Sequence, residues 1–255
     1  MAQKSSNITL IRFFLFLGLL GALLLPQDGV WANQKKTTTV QPKPVRWQPP
    51  AGVGASGRRT GNPPRTVLGG SRNNCAHNGD LPLTALIPQS YEGRVGFAPP
   101  TLYVYFPYDG QESYPVRITV MTAEKGVIYQ SNFSAPGKVG LLPIALPEDL
   151  ELTKNVVYRW RFEVQCVPPS AQPSFLAEDY VEGNFSVDSS PVVSSLASQD
   201  GWERAQVYLT QGLWYEAFAQ LLTLRQKEPE NVSIQESWLE LLNSEGLSQF
   251  SGIEN

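Results

Sequence analysis

The chain has 255 residues with 20 basic and 23 acidic side chains, a formal charge of −3, and a hydrophobic fraction of 42%. That is ordinary for a globular chain with one or two modest domains and a buried core. The charge is unevenly spread: residues 33–74 carry eight basic residues and no carboxylate, whereas residues 175–255 carry thirteen acids against Arg204, Arg225 and Lys227. A basic arm thus precedes an acidic body, and the sign of the body excludes a nucleic-acid binder.

The N-terminus reads as an export leader spanning residues 1–32. Lys4 and Arg12 supply the positive flank, Phe13–Leu25 is an uninterrupted apolar run, and Pro26 breaks it. Val30 and Ala32 then suit the positions before a cleavage site. The run is short for a membrane span, which needs about 20 apolar residues. An uncleaved leader is the alternative, and only that would tie the chain to a membrane. No cysteine follows the run closely, which argues against lipidation. The two cysteines, Cys75 and Cys166, are an even count in a chain sent to an oxidising compartment. Paired, they would close a loop worth up to about 4.5 kcal/mol in the chain-entropy model. Unpaired, one is a buried thiol and the other free.

From residue 33 to residue 80 there is no hydrophobic period. Pro42, Pro44, Pro49, Pro50, Pro63 and Pro64 alternate with glycine, threonine and basic residues, which predicts a disordered basic linker. Residues 81–190 read as a β-sandwich domain. Short apolar runs cover 81–88 and 101–106, an alternating segment covers 116–122, and a turn at Glu124–Gly126 leads into 127–133. Further strands are predicted at 140–146 and 180–187. The strongest signal is 156–166, where Val156, Tyr158, Trp160, Phe162, Val164 and Cys166 alternate with polar residues over eleven positions. About seven short strands separated by turns predict a mainly β fold of the sandwich type. The run from Leu152 to Tyr158 resembles the approach to the penultimate strand of immunoglobulin- and fibronectin-like sandwiches, with Tyr158 as a tyrosine corner.

After Pro191 the period becomes helical: 192–209, 214–227 and 232–242, with a break at Gly212, form a small α-helical C-terminal tail over 191–250. Ala205, Tyr208, Gly212, Tyr215, Ala217, Leu221, Leu224 and Pro229 resemble one tetratricopeptide repeat. One repeat does not stand alone, so these helices are expected to pack on the sandwich or on a partner.

In order along the chain stand a leader, an arm containing GRRTGNPPRTVLGGSRNNC, then LPLTALIP, TLYVYFPY, VIYQSNFSAPGKVGLLPIAL, YRWRFEVQC and GLWYEAF. In combination these segments resemble the cyanobacterial family known as domain of unknown function 928. The resemblance implies export and a β-rich core, and supplies no catalytic residues.

No catalytic constellation stands out, and neither an enzyme activity nor a metal nor a cofactor is expected. The one histidine, His77, lies in the predicted linker without a nucleophile signature or further zinc-type ligands. Gly52, Gly54 and Gly57 match a dinucleotide fingerprint by letter, yet no strand–helix context surrounds them. The acid pairs Glu148–Asp149 and Glu178–Asp179 are read as solvated loop residues rather than a glycosidase pair. Sequons at Asn132, Asn184 and Asn231 matter only in a eukaryotic secretory route. The leading expectation is a non-enzymatic interaction module of the cell envelope whose partner is another envelope protein. The alternative is a carbohydrate-binding or hydrolytic module using exposed aromatics such as Tyr103, Tyr105 and Tyr108. If 101–106 is an edge strand, Tyr103 and Tyr105 share a face that could stack on sugars, although cover of that face by the tail helices is the favoured reading. A third reading has the basic arm tethered to an anionic wall polymer.

Overall fold

The computed structural model describes residues 43–50, 75, 79–88, 92–96, 99–166, 177–187 and 200–253. The predicted leader, most of the basic arm, His77, the glycines at 52, 54 and 57, and the start of the first predicted helix lie outside the described residues.

Eight strands form two sheets among the described residues. β1 (Thr84–Ala85), β3 (Thr101–Phe106) and β6 (Gly140–Ala145) make a three-stranded sheet in the order β1-β3-β6. β2 (Glu92–Val95), β4 (Ser113–Thr122), β5 (Gly126–Pro136), β7 (Val157–Cys166) and β8 (Ala177–Val187) make a five-stranded sheet in the order β2-β8-β7-β4-β5. All pairings are antiparallel except β2 with β8. The period-2 pattern decides which face is buried. On β7, Tyr158, Trp160, Phe162 and Val164 are buried, as are Val116, Ile118 and Val120 opposite them on β4. The sheets meet where Phe106 of β3 packs edge-on against Tyr114 of β4 and Phe162 of β7. Strand β2 was not expected: its four residues, Glu-Gly-Arg-Val, offer one apolar side chain to the core, too little for a periodic signal.

Three helices follow: α1 (Gly201–Gln211), α2 (Trp214–Lys227) and α3 (Val232–Ser244). Asp200 caps α1, its side chain accepting from the Glu203 N–H at 2.6 Å. Gly212 ends that helix with φ 71°, the left-handed conformation glycine favours. A Cβ at Gly212 would also meet Pro50 Cδ at 2.8 Å, so the same residue admits the arm.

The helices do not trail from the sandwich; α2 closes it. Trp214 Nε1 donates to the Leu86 carbonyl at 2.9 Å, and Phe218 packs on Tyr103 at 4.9 Å. Tyr215 enters the core, edge-on to Phe185 of β8. Its hydroxyl accepts from Trp160 Nε1 and donates to the Asn184 carbonyl, both at 3.1 Å. Burial raises this phenol well above its ordinary range, so it stays protonated and able to donate.

The expectation that residues 33–80 form a uniformly unpacked linker needs correction at 43–50. Trp47 is buried, edge-on to Trp214 at 5.4 Å. Its backbone N–H donates to Glu240 at 2.7 Å and its indole N–H to Glu245 at 2.6 Å. Val45 N donates to Ser237 Oγ and Gln48 N to the Leu209 carbonyl, both at 3.0 Å. One large aromatic in an otherwise polar stretch has no period, so composition alone conceals it.

Candidate functional site

Among the described residues, the outward positions of the five-stranded sheet carry the densest set of interacting charges. Alternation on β4 and β7 sends Arg117, Arg159, Arg161 and Glu163 to the face opposite the core, and Glu182 joins them from β8. Arg159 pairs with Glu182, and Arg161 Nε stands 3.1 Å from the second oxygen of the same carboxylate. Glu163 lies 3.5 Å from Arg161 and 3.7 Å from Arg117. The Arg161 guanidinium stacks 3.9 Å from the Tyr180 ring centroid, and Arg117 Nε donates to Asn132 at 3.0 Å. The carboxylates are sunk below the arginines: Glu163 and Glu182 are buried, while the arginine side chains remain 34–44% exposed. The face therefore presents guanidinium groups held on rigid strands, with their counter-charges beneath.

Glu163 is the strained member. Burial, and then the nearby Glu178 carboxylate, raise its pKa above the ordinary 4.5, against the lowering effect of Arg161 and Arg117. Protonation of Glu163 would leave the arginines less compensated. Beside this lattice lies a hollow of about 270 Å³ lined by Pro115, Val116, Arg117, Asn132, Phe133 and Gln165. Among the described residues no group of three or more His, Cys, Asp or Glu side chains is arranged to hold a metal ion.

The residues singled out from sequence sit elsewhere. Tyr103 and Tyr105 face away from the inter-sheet core, where the helices cover them: Tyr103 is 9% exposed under Phe218, and Tyr105 is 5% exposed against Phe250. Tyr108 is 0% exposed, and its hydroxyl donates to Asp179 Oδ2 at 2.8 Å. The sugar-stacking platform expected of these three is thus corrected, because none offers a ring face to solvent.

The acid pairs also separate. Glu148 and Asp149 are exposed in a turn, but Glu178 and Asp179 lie on β8, where neighbours point to opposite faces. Glu178 is exposed near Glu163, whereas Asp179 is fully buried and accepts the Cys75 N–H at 2.9 Å. Cys75 and Cys166 form a disulfide with Cα atoms 5.6 Å apart. Asp179 and the disulfide together fix the end of the basic arm to β7 and β8. The arginine lattice was partly visible beforehand as the polar half of the 156–166 alternation; its partners Glu182 and Tyr180 were not, since register across strands is not written in local pattern.

Two packed sheets, helices that complete their core, one long-range disulfide and an arginine-studded sheet face define a mainly β protein whose described residues hold no metal-type cluster. The chain belongs to the family described as Domain of Unknown Function (DUF928), whose profile matches residues 67–253. No curated protein and no solved structure matches it. No helix among the described residues is long and apolar enough to cross a membrane.

Proposed function

We propose that the protein is an exported, non-enzymatic interaction module of the cell envelope that binds another envelope protein through the outer face of its five-stranded sheet. The carrying observation is the arginine lattice. Arg117, Arg159 and Arg161 keep part of their side chains exposed and are held by Glu163 and Glu182, with Arg161 stacked on Tyr180. Arginine and tyrosine are the residues that dominate protein interfaces, and pre-ordering them on strands lowers the entropy cost of binding. The partner surface implied is acidic with hydrogen-bond acceptors, since guanidinium forks bind carboxylates in pairs.

Export is supported by the leader pattern of residues 1–32, with the disulfide as an agreeing feature. The family resemblance makes a cyanobacterial source our reading. The eight basic residues of 33–74 would add a salt-sensitive attachment to an anionic wall polymer. The finer fold reading is an immunoglobulin-type sandwich. It rests on the strand order and on Tyr158, whose hydroxyl lies 2.6 Å from the Thr153 N–H as in a tyrosine corner. The α1–α2 pair, closed by Ala205, Tyr208, Gly212 and Ala217, is read as a single tetratricopeptide-like unit. The strap at 43–50 lies against it, with Gln48 N donating to the Leu209 carbonyl of α1 and Trp47 edge-on to Trp214 of α2.

The test compares proteins captured from envelope extracts by the wild type and by the Arg159→Glu, Arg161→Glu double variant. A partner retained by the first and lost by the second is expected, with melting temperatures checked for both. Identical captured sets would sink the proposal.

A further inference from the structure

Every sheet edge is a row of unpaired N–H and C=O groups, and natural proteins blunt such edges with short strands, charges or proline. Three of the four edges here follow that rule. β1 has two residues, β2 has four and carries Glu92 and Arg94, and β6 holds Pro143 at its middle. The fourth edge, β5, follows it only towards its start, where the register with β4 shifts and leaves Ile128 as the extra residue. It runs eleven residues, GVIYQSNFSAP, with no charge anywhere and proline only at its last position. It also keeps apolar surface in view: Val127 is 57% exposed and Phe133 37%. Tyr129 and Phe133 oppose Val120 and Val116 on β4, so they share the sheet's inner face. They remain partly uncovered because the facing sheet has only three strands.

The order of residues in β5 indicates what covers it. An antiparallel copy centred on Ser131 would oppose Ser131 to itself, Gln130 to Asn132 and Tyr129 to Phe133. Amide meets amide and aromatic meets aromatic. The match ends at Ile128, where the β4–β5 register shifts by one residue, so that Val127 turns to the outer face while Ala135 stays buried on the inner one. Cross-strand pairs of these types are the stabilising contacts of an antiparallel ladder. A strand that complements itself about its centre is what a two-fold symmetric interface requires.

We propose that β5 is a homodimer interface, through which two copies of this chain pair β5 to β5 about Ser131 and join their five-stranded sheets into one continuous sheet. The Tyr129 ring of each copy then covers the Phe133 ring of the other. The arginine faces of both copies lie on the same side of the joined sheet, doubling the surface available to a common partner.

Sedimentation velocity on the purified protein over a concentration series tests the proposal, together with cross-linking. The wild type should show a reversible monomer–dimer equilibrium. Ser131→Cys should form an intermolecular disulfide on air oxidation, because directly opposed antiparallel residues have Cα atoms about 4.5–5.5 Å apart, within disulfide range. Gln130→Cys, opposed to Asn132 rather than to itself, should cross-link far more slowly. Gln130→Lys combined with Asn132→Lys should raise the dimer dissociation constant about tenfold by setting like charges opposite each other at two symmetric pairs. Gln130→Lys combined with Asn132→Glu should restore it. A wild type that stays monomeric at the highest concentration overturns the proposal. So does equal cross-linking at residues 130 and 131, or no rescue in the opposite-charge variant. Matching melting temperatures across the set separate loss of the interface from loss of the fold.

Discussion

Removal of a single oxygen atom tests whether α2 is part of the β core. In Tyr215→Phe the ring remains to pack edge-on against Phe185, but Trp160 Nε1 loses its acceptor and the Asn184 carbonyl its donor. Trp160 is 0% exposed and Tyr215 is 2% exposed, so water cannot replace the hydroxyl without opening the packing. The space is tight from every side: a Cβ at Gly93 would lie 2.5 Å from the Tyr215 ring, and one at Gly183 would lie 2.7 Å from the Trp160 indole. An orphaned buried donor costs about 1–3 kcal/mol, and the carbonyl, with a second lone pair, somewhat less. The expected loss is about 2–4 kcal/mol, or roughly 5–15 °C in melting temperature for a domain of this size. Urea denaturation followed by tryptophan fluorescence measures it, with Tyr105→Phe as the control. Tyr105 packs its ring on Phe250, and its hydroxyl makes no hydrogen bond among the described residues, so its change should stay within about 0.5 kcal/mol. A second readout is hydrogen exchange of the Trp160 indole N–H, protected in the wild type and accelerated in the variant. If Tyr215→Phe costs no more than Tyr105→Phe, the hydroxyl is not a joint between helix and sheet, and the unity of the fold has been misread.

Three further outcomes follow from the same contacts. Trp47→Ala removes a buried indole from the side of Trp214 and should cost about 3 kcal/mol, with faster limited proteolysis at residues 43–50 as the direct sign of strap release; unchanged proteolysis counts against the docked strap. Replacing Cys75 and Cys166 together by serine frees a 91-residue separation and should lower stability by up to about 4.5 kcal/mol, read by urea denaturation against the reduced and oxidised wild type. For Glu163, a folded pKa above the ordinary value means that ionisation works against folding. Wild-type stability should therefore rise as pH falls from neutral through the raised value towards 4.5. Glu163→Gln should be the more stable protein at neutral pH, with its advantage vanishing in acid; an advantage equal at both pH values would refute this electrostatic account.

Local pattern made four strands of the five-stranded sheet, β4, β5, β7 and β8, readable. The 156–166 alternation corresponds to β7 almost residue for residue, because one buried face imposes a strict two-residue period. What stayed hidden depends on contacts distant in sequence. β2 has too few residues to show a period and exists because β8 lies beside it. Trp47 looks like a lone aromatic in a linker until helices nearly 200 residues later supply its two carboxylate acceptors. Asp179 reads as half of a solvated acid pair until register turns it inward to Cys75 and Tyr108. For the tyrosines of β3, alternation places Tyr103 and Tyr105 on one face, but whether that face meets water or the tail helices is a tertiary fact, and the helices cover it.

The position of Tyr215 also constrains how the protein can be dissected. A sandwich that merely carried a helical tail would survive deletion of that tail, and partner mapping could proceed by truncation. Here deletion after residue 199 would strip Trp214, Tyr215 and Phe218 from the core, uncover Tyr103 and Tyr105, and leave the Leu86 carbonyl without its indole donor. It would also remove every acceptor that holds the 43–50 strap. Loss of binding in such a truncation would report unfolding rather than an interface. The two surfaces proposed for partners, the arginine face and the β5 edge, both lie on the five-stranded sheet, away from these joints. They can be probed by substitutions that leave these joints intact, and a binding defect that leaves the melting temperature unchanged then belongs to the surface alone.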